Sequence, residues 1–531
     1  MDTKSAKQLP ELAEALLNPA AYPEVPGNIE LIQTQMSFVF LADKYVYKIK
    51  KEVNLGYLDY TTLESRRFFC HREVELNRRL SPEVYLGVVA VSRDDGRMMI
   101  EGKGRAIEYA VKMRRLPQER MMDVLLTQNE VWPEMVARVA EKLVDFHSRA
   151  DTNQTISSFG GLEVIRQNTW ENFSQTEKYV GRTISPERYG GIRAYTNDFI
   201  CDKASLFHER VEKGKTRDCH GDLHAAHICF TNGISIYDCI EFNDRFRYGD
   251  VASEVAFLAM DLDHFGRADL SRHFVSTYVE LSRDRELQEV LKFYKCYRAY
   301  VRGKVESFKL DDPSIDVDDK QQIAKAARDY FGLAWFYTRS KPVLFITSGL
   351  VGTGKTTLAR ALAGKLGLVL IDSDVTRKQL AGIPLTEHRF ERFGAGIYSP
   401  EFTHKTYDEM FNRAEEILSN GDSVILDASF SKAEERLKAK DLAERTGADF
   451  VVIECILNEE IVRERLASRQ EQRSISDAGE GLLEPQKNLF EPVDEVPDDQ
   501  HVVVDTSRPV DRLLEEVELT RSLSSCSGYC K

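Results

Sequence analysis

The chain has 531 residues, 42% hydrophobic and 30% charged, with a net charge of −14. That length is more than one core supports and, at about 150 residues per domain, predicts two to four domains. The acidic balance argues against a broad nucleic-acid-binding face, and no apolar run approaches the roughly 18 residues that span a membrane. The N-terminal MDTKSAKQLPELAEALL has acidic residues inside its apolar stretch, unlike a secretory signal. The nine cysteines form no zinc-type pair of C-x-x-C motifs, and Cys526 and Cys530 fall in a Ser-rich tail. Reduced thiols in a cytoplasmic protein are the expectation.

In chain order, 8–17 reads as a short amphipathic helix closed by Asn18-Pro19. Residues 36–51 read as two strands turning at Ala42-Asp43, with Tyr45 and Tyr47 on one face and Val46 and Lys48 on the other. A charged helix over 61–80 stops at Ser81-Pro82. A second hairpin, 88–92 with 97–100, turns at Asp94-Asp95-Gly96, and 107–114 is one more strand. From Val131 the pattern is mostly helical. It is broken at 219–254, where His220-Gly221-Asp222 forms a loop before a strand at 228–231, and a paired strand at 234–237 ends at Asp238. Residues 291–309 space Lys295, Arg298, Arg302 and Lys304 along a helix, facing either an anion or solvent. A further helix, 319–337, ends near Ser340-Lys341-Pro342, which divides a domain 1–340 from a domain 341–531.

The second domain opens on the most specific signal in the chain. Between an apolar strand at 343–347 and a helix at 357–366, Gly349-Leu350-Val351-Gly352-Thr353-Gly354-Lys355-Thr356 fits G-x-x-x-x-G-K-S/T without a gap. Glycines let backbone N–H groups close around a polyphosphate at a helix start that favours anions. ATP is therefore the expected cofactor, held by Gly349, Gly352, Thr353, Gly354, Lys355, Thr356 and Thr357, with Thr356 on Mg²⁺. Further strands at 368–371, 424–426, 449–456 and 501–504 alternate with helices, the pattern of a doubly wound parallel sheet. Asp427, ending one strand, suits the metal, and Asp374, at the carboxyl end of another, suits deprotonation of an acceptor hydroxyl. Arg463, Arg465, Arg469 and Arg473 lead into a Gly/Ser/Asp stretch that reads as a closing lid.

In the first domain, two carboxylates at the ends of short segments meet the needs of phosphoryl transfer: one takes the acceptor proton, the other holds Mg²⁺. The stretch CHGDLHAAHICF with downstream Asp238 resembles the aminoglycoside phosphotransferase and choline-kinase-like family over roughly 30–310. The resemblance implies a protein-kinase-like bilobal fold, Asp222 as catalytic base and Asp238 as main metal ligand. It implies Lys48 as the phosphate-binding strand lysine and Glu73 as its helix partner. Where the family has a metal-ligating asparagine, this chain has His227, and imidazole suits Mg²⁺ less well than an amide oxygen. One metal, a softer one such as Mn²⁺, or weak transfer follows. The spacing of His220, His224 and His227 also admits zinc, though without a flanking cysteine or acidic support.

The motifs GLVGTGKTT, DSDVTRK, ILDASF and RERLASRQ resemble small P-loop kinases, a family that includes polynucleotide 5′-kinases, gluconate kinase and zeta-toxin-like kinases. That resemblance covers about 342–520 and implies Asp374 as base, Arg377 as a substrate or phosphate contact and Arg469 as lid arginine. The pair of domains resembles bacterial bifunctional aminoglycoside phosphotransferase/ATP-binding proteins. The expectation is an α/β and α+β protein of two ATP-using kinase modules acting on small-molecule hydroxyls. A polynucleotide 5′-kinase in the C-terminal half, or a regulatory first domain, are the alternatives.

Overall fold

The computed structural model describes residues 10–94, 96–313, 315–384, 394–469, 483–514 and 516–517. The chain folds as two compact units. One comprises residues 1–180, 193–261 and 272–304; the other comprises 181–192, 262–271 and 305–531. Among the described residues, no helix is long and apolar enough to cross a membrane.

The first unit opens with a six-stranded antiparallel sheet: β1 (Glu30–Gln33), β2 (Ser37–Leu41), β3 (Tyr45–Lys50), β4 (Tyr85–Asp94), β5 (Arg97–Ile100) and β6 (Arg105–Arg114), ordered β1-β2-β3-β6-β4-β5. The pleat sends alternate residues to opposite faces. Phe38, Phe40, Tyr47 and Ile49 pack with Ala13, Leu16 and Tyr22 on one side. Val46, Val111 and Met113 pack with Cys70 and Val74 of the helix Leu63–Asn77 on the other. The hairpins at 36–51 and around Gly96 form as expected, while β1 escaped the sequence reading because it is mostly exposed. The helix expected at 8–17 spans Glu11–Ala15, residues 8 and 9 lying outside the described residues. Helices follow, among them Pro133–Arg149, Leu162–Thr176 and the greater part of Val251–His264 and of Leu287–Lys309. Among them run two small antiparallel pairs: β7 (Thr216–Asp218) with β10 (Tyr248–Asp250), and β8 (Ile228–Phe230) with β9 (Ile234–Ile236).

The second unit is built on a parallel sheet of β11 (Val343–Ser348), β12 (Val369–Asp372), β13 (Val424–Asp427), β14 (Asp449–Ile456) and β15 (His501–Asp505), in the order β12-β13-β11-β14-β15. Every residue of β11 and β13 is buried, as expected of parallel strands covered on both faces. Leu344, Ile346, Val424 and Leu426 meet the helices Pro400–Ser419 and Ala433–Thr446. Val343, Phe345, Ile425 and Val504 meet the helix Lys355–Leu366. Helix Val317–Tyr337 packs in this unit, where the Tyr337 hydroxyl donates to Asp263 at 2.5 Å.

Candidate functional site

In the second unit, six residues carry the chain from β11 into the helix Lys355–Leu366. Gly349 stands at φ 134°, and a Cβ there would lie 2.5 Å from the Cys455 carbonyl oxygen. Only glycine escapes both the strain and the clash. Gly349→Ala is therefore expected to cost at least about 1 kcal/mol of stability and to weaken nucleotide binding. A denaturant midpoint and ATP affinity equal to wild type would contradict this close approach.

Further hydrogen bonds brace the loop. Thr353 Oγ1 donates to the Leu350 carbonyl at 2.8 Å, Thr506 Oγ1 donates to the Thr353 carbonyl at 2.7 Å, and Gln486 Oε1 accepts from the Val351 N–H at 2.8 Å. Gly352 and Gly354 also hold left-handed backbone, at φ 80° and 85°. Lys355 Nζ donates to the carbonyls of Gly349 and Leu350, at 2.9 and 2.7 Å. The Asp427 carboxylate accepts from Thr347 Oγ1 at 3.0 Å, and the neighbouring Thr356 hydroxyl helps to hold its pKa down. Thr357 is exposed at the next position. Burial raises the Asp427 pKa, against the pull of Thr356, Lys355 and Thr347, with the charge of Asp374 adding to the rise. Thr356 and Asp427 thus set a hydroxyl and a carboxylate oxygen side by side, a donor set that fits a hard cation such as Mg²⁺.

Asp372 ends β12 and caps the next helix, its Oδ1 accepting from the N–H groups of Asp374 and Val375 at 2.8 and 3.2 Å. Asp374, read from sequence at a strand end, lies in the first turn of the helix Ser373–Leu380. Arg377 is buried: its Nη1 donates to the Ile397 carbonyl at 2.6 Å and to Thr403 Oγ1 at 3.2 Å, and its guanidinium lies 4.8 Å from the Tyr398 ring centre. Arg463 pairs with Glu459 and Glu484, both at 2.7 Å, while Arg465 donates to the Thr506 carbonyl at 3.1 Å, beside the glycine loop. Arg469 closes the helix Glu459–Arg469; its side chain, and Arg473 with the expected lid loop, lie outside the described residues.

In the first unit, Lys48 and Lys50 emerge from one face of β3 toward the buried Glu73. Lys48 Nζ lies 2.9 Å from Glu73 Oε1 and 2.6 Å from Asp238 Oδ1. Burial disfavours the Lys48 charge, but Asp238 and Glu73 outweigh it and hold its pKa well above the ordinary value. Asp238 follows β9 at φ 64°, its N–H donating to Tyr85 Oη at 3.1 Å.

The loop carrying Asp222 is held by residues that sequence reading missed. Glu254 Oε1 accepts from the N–H groups of His220 and Gly221, at 2.8 and 2.7 Å. Its other oxygen meets His147 Nε2 at 2.7 Å, and His147 Nδ1 meets Tyr278 Oη at 2.8 Å. Arg298, noted only for helical spacing, donates to the Gly221 carbonyl at 3.1 Å. No local motif marks Glu254 or His147, and their partners are remote in sequence. Asp222 keeps a side chain 36% exposed, with His224 Nε2 and His227 Nδ1 each 3.7 Å from its Oδ2. Burial would raise the Asp222 pKa, but His224, His227 and Arg302 together hold it well below the carboxylate range.

His227 bridges the two carboxylates. Its Nδ1 lies 2.9 Å from the Asp222 carbonyl, which can only accept, so Nδ1 carries the proton. The Nε2 lone pair then faces Asp238 Oδ2, 3.7 Å away. Burial, reinforced by His224, pushes the His227 pKa down to about 4, keeping the ring neutral at pH 7. The three histidines do not converge, because His220 Nε2 donates to the Tyr237 carbonyl at 2.9 Å. Asp222, His224 and His227 do bring ligand atoms within 4.8 Å of one another, so acidic support absent from the sequence reading is present in the fold.

A family model described as an AAA domain matches residues 344–493, the stretch containing the glycine loop, Asp374 and Asp427. Similar solved structures include a gluconokinase from Sinorhizobium meliloti 1021, 22% identical, covering 36% of this chain and 99% of that one, with a TM-score of 0.26. Another is a choline/ethanolamine kinase family protein from Mesorhizobium loti, 13% identical, covering 62% of this chain and 99% of that one, with a TM-score of 0.35. Loop geometry and family match define the class: a P-loop domain of AAA type over residues 344–493, in a chain that folds as two units. The uncharacterized protein Rv2004c of Mycobacterium tuberculosis (strain ATCC 25618 / H37Rv) is 31% identical over 443 residues, 83% of this chain and 86% of its own. The uncharacterized protein Mb2027c of Mycobacterium bovis (strain ATCC BAA-935 / AF2122/97) matches over the same shares. The chain belongs to the family of these mycobacterial proteins.

Proposed function

We propose that the protein is an ATP-dependent phosphotransferase with two kinase-like modules, within 1–340 and 341–531. Each moves the γ-phosphoryl of ATP to a hydroxyl of a small-molecule acceptor. The observation that carries this reading is the glycine loop with Lys355 at its helix start and Thr356 beside the Asp427 carboxylate. In the second module Lys355 tracks the β- and γ-phosphates, Thr356 and Asp427 hold Mg²⁺, and Asp374 takes the acceptor proton. Arg469 would serve as lid arginine; Arg377, already bonded inside the unit, would help shape the acceptor side. In the first module, of protein-kinase-like bilobal type, Asp222 is the base, Lys48 and Glu73 address the phosphates, and Asp238 with His227 holds the metal. Bound Mg²⁺ would neutralise charge on the transferring phosphates, and the residues named position the reactants around it. Incubation with γ-labelled ATP and a library of polyols, sugars and amino alcohols tests the reading. Label should reach an acceptor and should be lost from the corresponding module in Lys355→Ala or Asp222→Ala. Transfer surviving in the double variant would reject it.

A second reading, in which the first module binds nucleotide and regulates the second, is favoured by His227 at the metal position. Imidazole prefers borderline cations to Mg²⁺. Nucleotide binding that depends on Asp238 is expected to be tighter with Mn²⁺ than with Mg²⁺, and His227→Asn should shift the preference toward Mg²⁺. Calorimetric titration with each metal checks both. Identical affinities in wild type and His227→Asn would remove residue 227 from the metal shell, and rapid Mg²⁺-dependent transfer by the first module would exclude the regulatory reading.

A further inference from the structure

The Glu73 carboxylate is divided between two lysines. Its Oε1 takes Lys48 at 2.9 Å and its Oε2 takes Lys50 at 2.7 Å. Lys50 also pairs with Glu241, which accepts from the Tyr60 hydroxyl at 2.7 Å, and Lys50 Nζ stands 5.0 Å from the Tyr60 ring centre. The Lys50 side chain is 1% exposed, Glu73 is 0% and Glu241 is 7%. Two cations, Lys48 and Lys50, thus face three carboxylates in one cluster, buried at Lys50, Glu73 and Glu241 and open to solvent at Asp238, whose side chain is 39% exposed.

We propose that Lys50 and Glu241 are positioning residues for the first module's nucleotide site, holding Glu73 and Asp238 in place when Lys48 turns to phosphate. The proposal rests on the reading of that module as nucleotide-binding. A buried carboxylate whose only cation departs is left uncompensated, at high cost. Lys50 spares Glu73 that cost, because the Oε2 contact persists. Glu241 lies three residues beyond Asp238, and Lys50 and Tyr60 pin it from β3 and from the segment after β3. Asp238, in left-handed backbone at φ 64°, is therefore fixed on one side by β9 and on the other by Glu241. That conformation is disfavoured for a residue with a Cβ and persists where its surroundings impose it. Buried as it is, Lys50 acts only through Glu73 and Glu241.

Calorimetric titration of Mn²⁺ and ATP into the full chain tests this, with Asp238→Ala marking which binding event is the first module's. Lys50→Met is expected to weaken that event about 10- to 100-fold, as loss of an outer-shell partner does, and to leave the glycine-loop event unchanged. Because Lys50→Met leaves the buried Glu241 without its lysine, the double variant Lys50→Met/Glu241→Met is measured beside it. It should melt within a few degrees of wild type and still bind weakly, a combination that a purely structural pair would not give. Wild-type affinity in either folded variant overturns the proposal, even if the variant melts early. Absence of any Asp238-dependent event in the wild type rejects the nucleotide reading of the module, and the proposal falls with it.

Discussion

Lys355→Ala is expected to reduce ATP turnover by the second module about 100- to 1,000-fold while the unit stays folded. Lys355 is the first residue of its helix, and its ammonium is held over the loop by the Gly349 and Leu350 carbonyls. On the proposed reading it would be aimed at the phosphates and would offset charge that builds as the γ-phosphoryl transfers, a stabilisation greatest in the transition state. Removal is expected to cost little in folding, because the Lys355 side chain is partly exposed. Single-turnover assays with γ-labelled ATP, with thermal melting as the folding control, read the effect. Turnover at the wild-type rate would end the assignment of this loop as the phosphate site.

Asp374→Asn is expected to lower transfer to the acceptor about 100- to 10,000-fold, the range for loss of a general base, with ATP affinity within a few-fold of wild type. The side chain lies in the first turn of the helix Ser373–Leu380, close enough for its charge to raise the Asp427 pKa. Asparagine keeps size and polarity but cannot take a proton, so loss of rate at constant affinity isolates that function. Asp372, which caps the helix, is the necessary comparison. Its substitution should lower stability, whereas that of Asp374 should not. A large fall in ATP affinity in Asp374→Asn would move this residue into the metal shell and leave the base elsewhere.

Much of the second unit is legible in contiguous sequence because its determinants are local. A glycine loop between an apolar strand and a helix is specified by dihedral freedom and hydrogen bonds within about ten residues. The strands ending at Asp427 and spanning Asp449–Ile456 are apolar runs, recognisable without their neighbours. The hairpin at 36–51 is likewise readable, and so are the segments that carry Asp222 and Asp238. The sheet order β12-β13-β11-β14-β15 is not, since parallel neighbours are joined through crossovers and nothing in a strand names its partner.

The environment of each reactive group is decided only in three dimensions. Lys48 meets Asp238 across 190 residues, Lys50 meets Glu241 across 191, and His147 meets Glu254 across 107. Over such separations no periodicity or spacing survives to mark the pair. Residue chemistry alone brings Asp222, Asp238 and the glycine loop into view. The role of Lys50, the bracing of the Asp222 loop by Glu254, and the turning of His227 Nε2 toward Asp238 depend on packing. Buried charges must find partners wherever the chain happens to bring them, and those partners then set the geometry of the site.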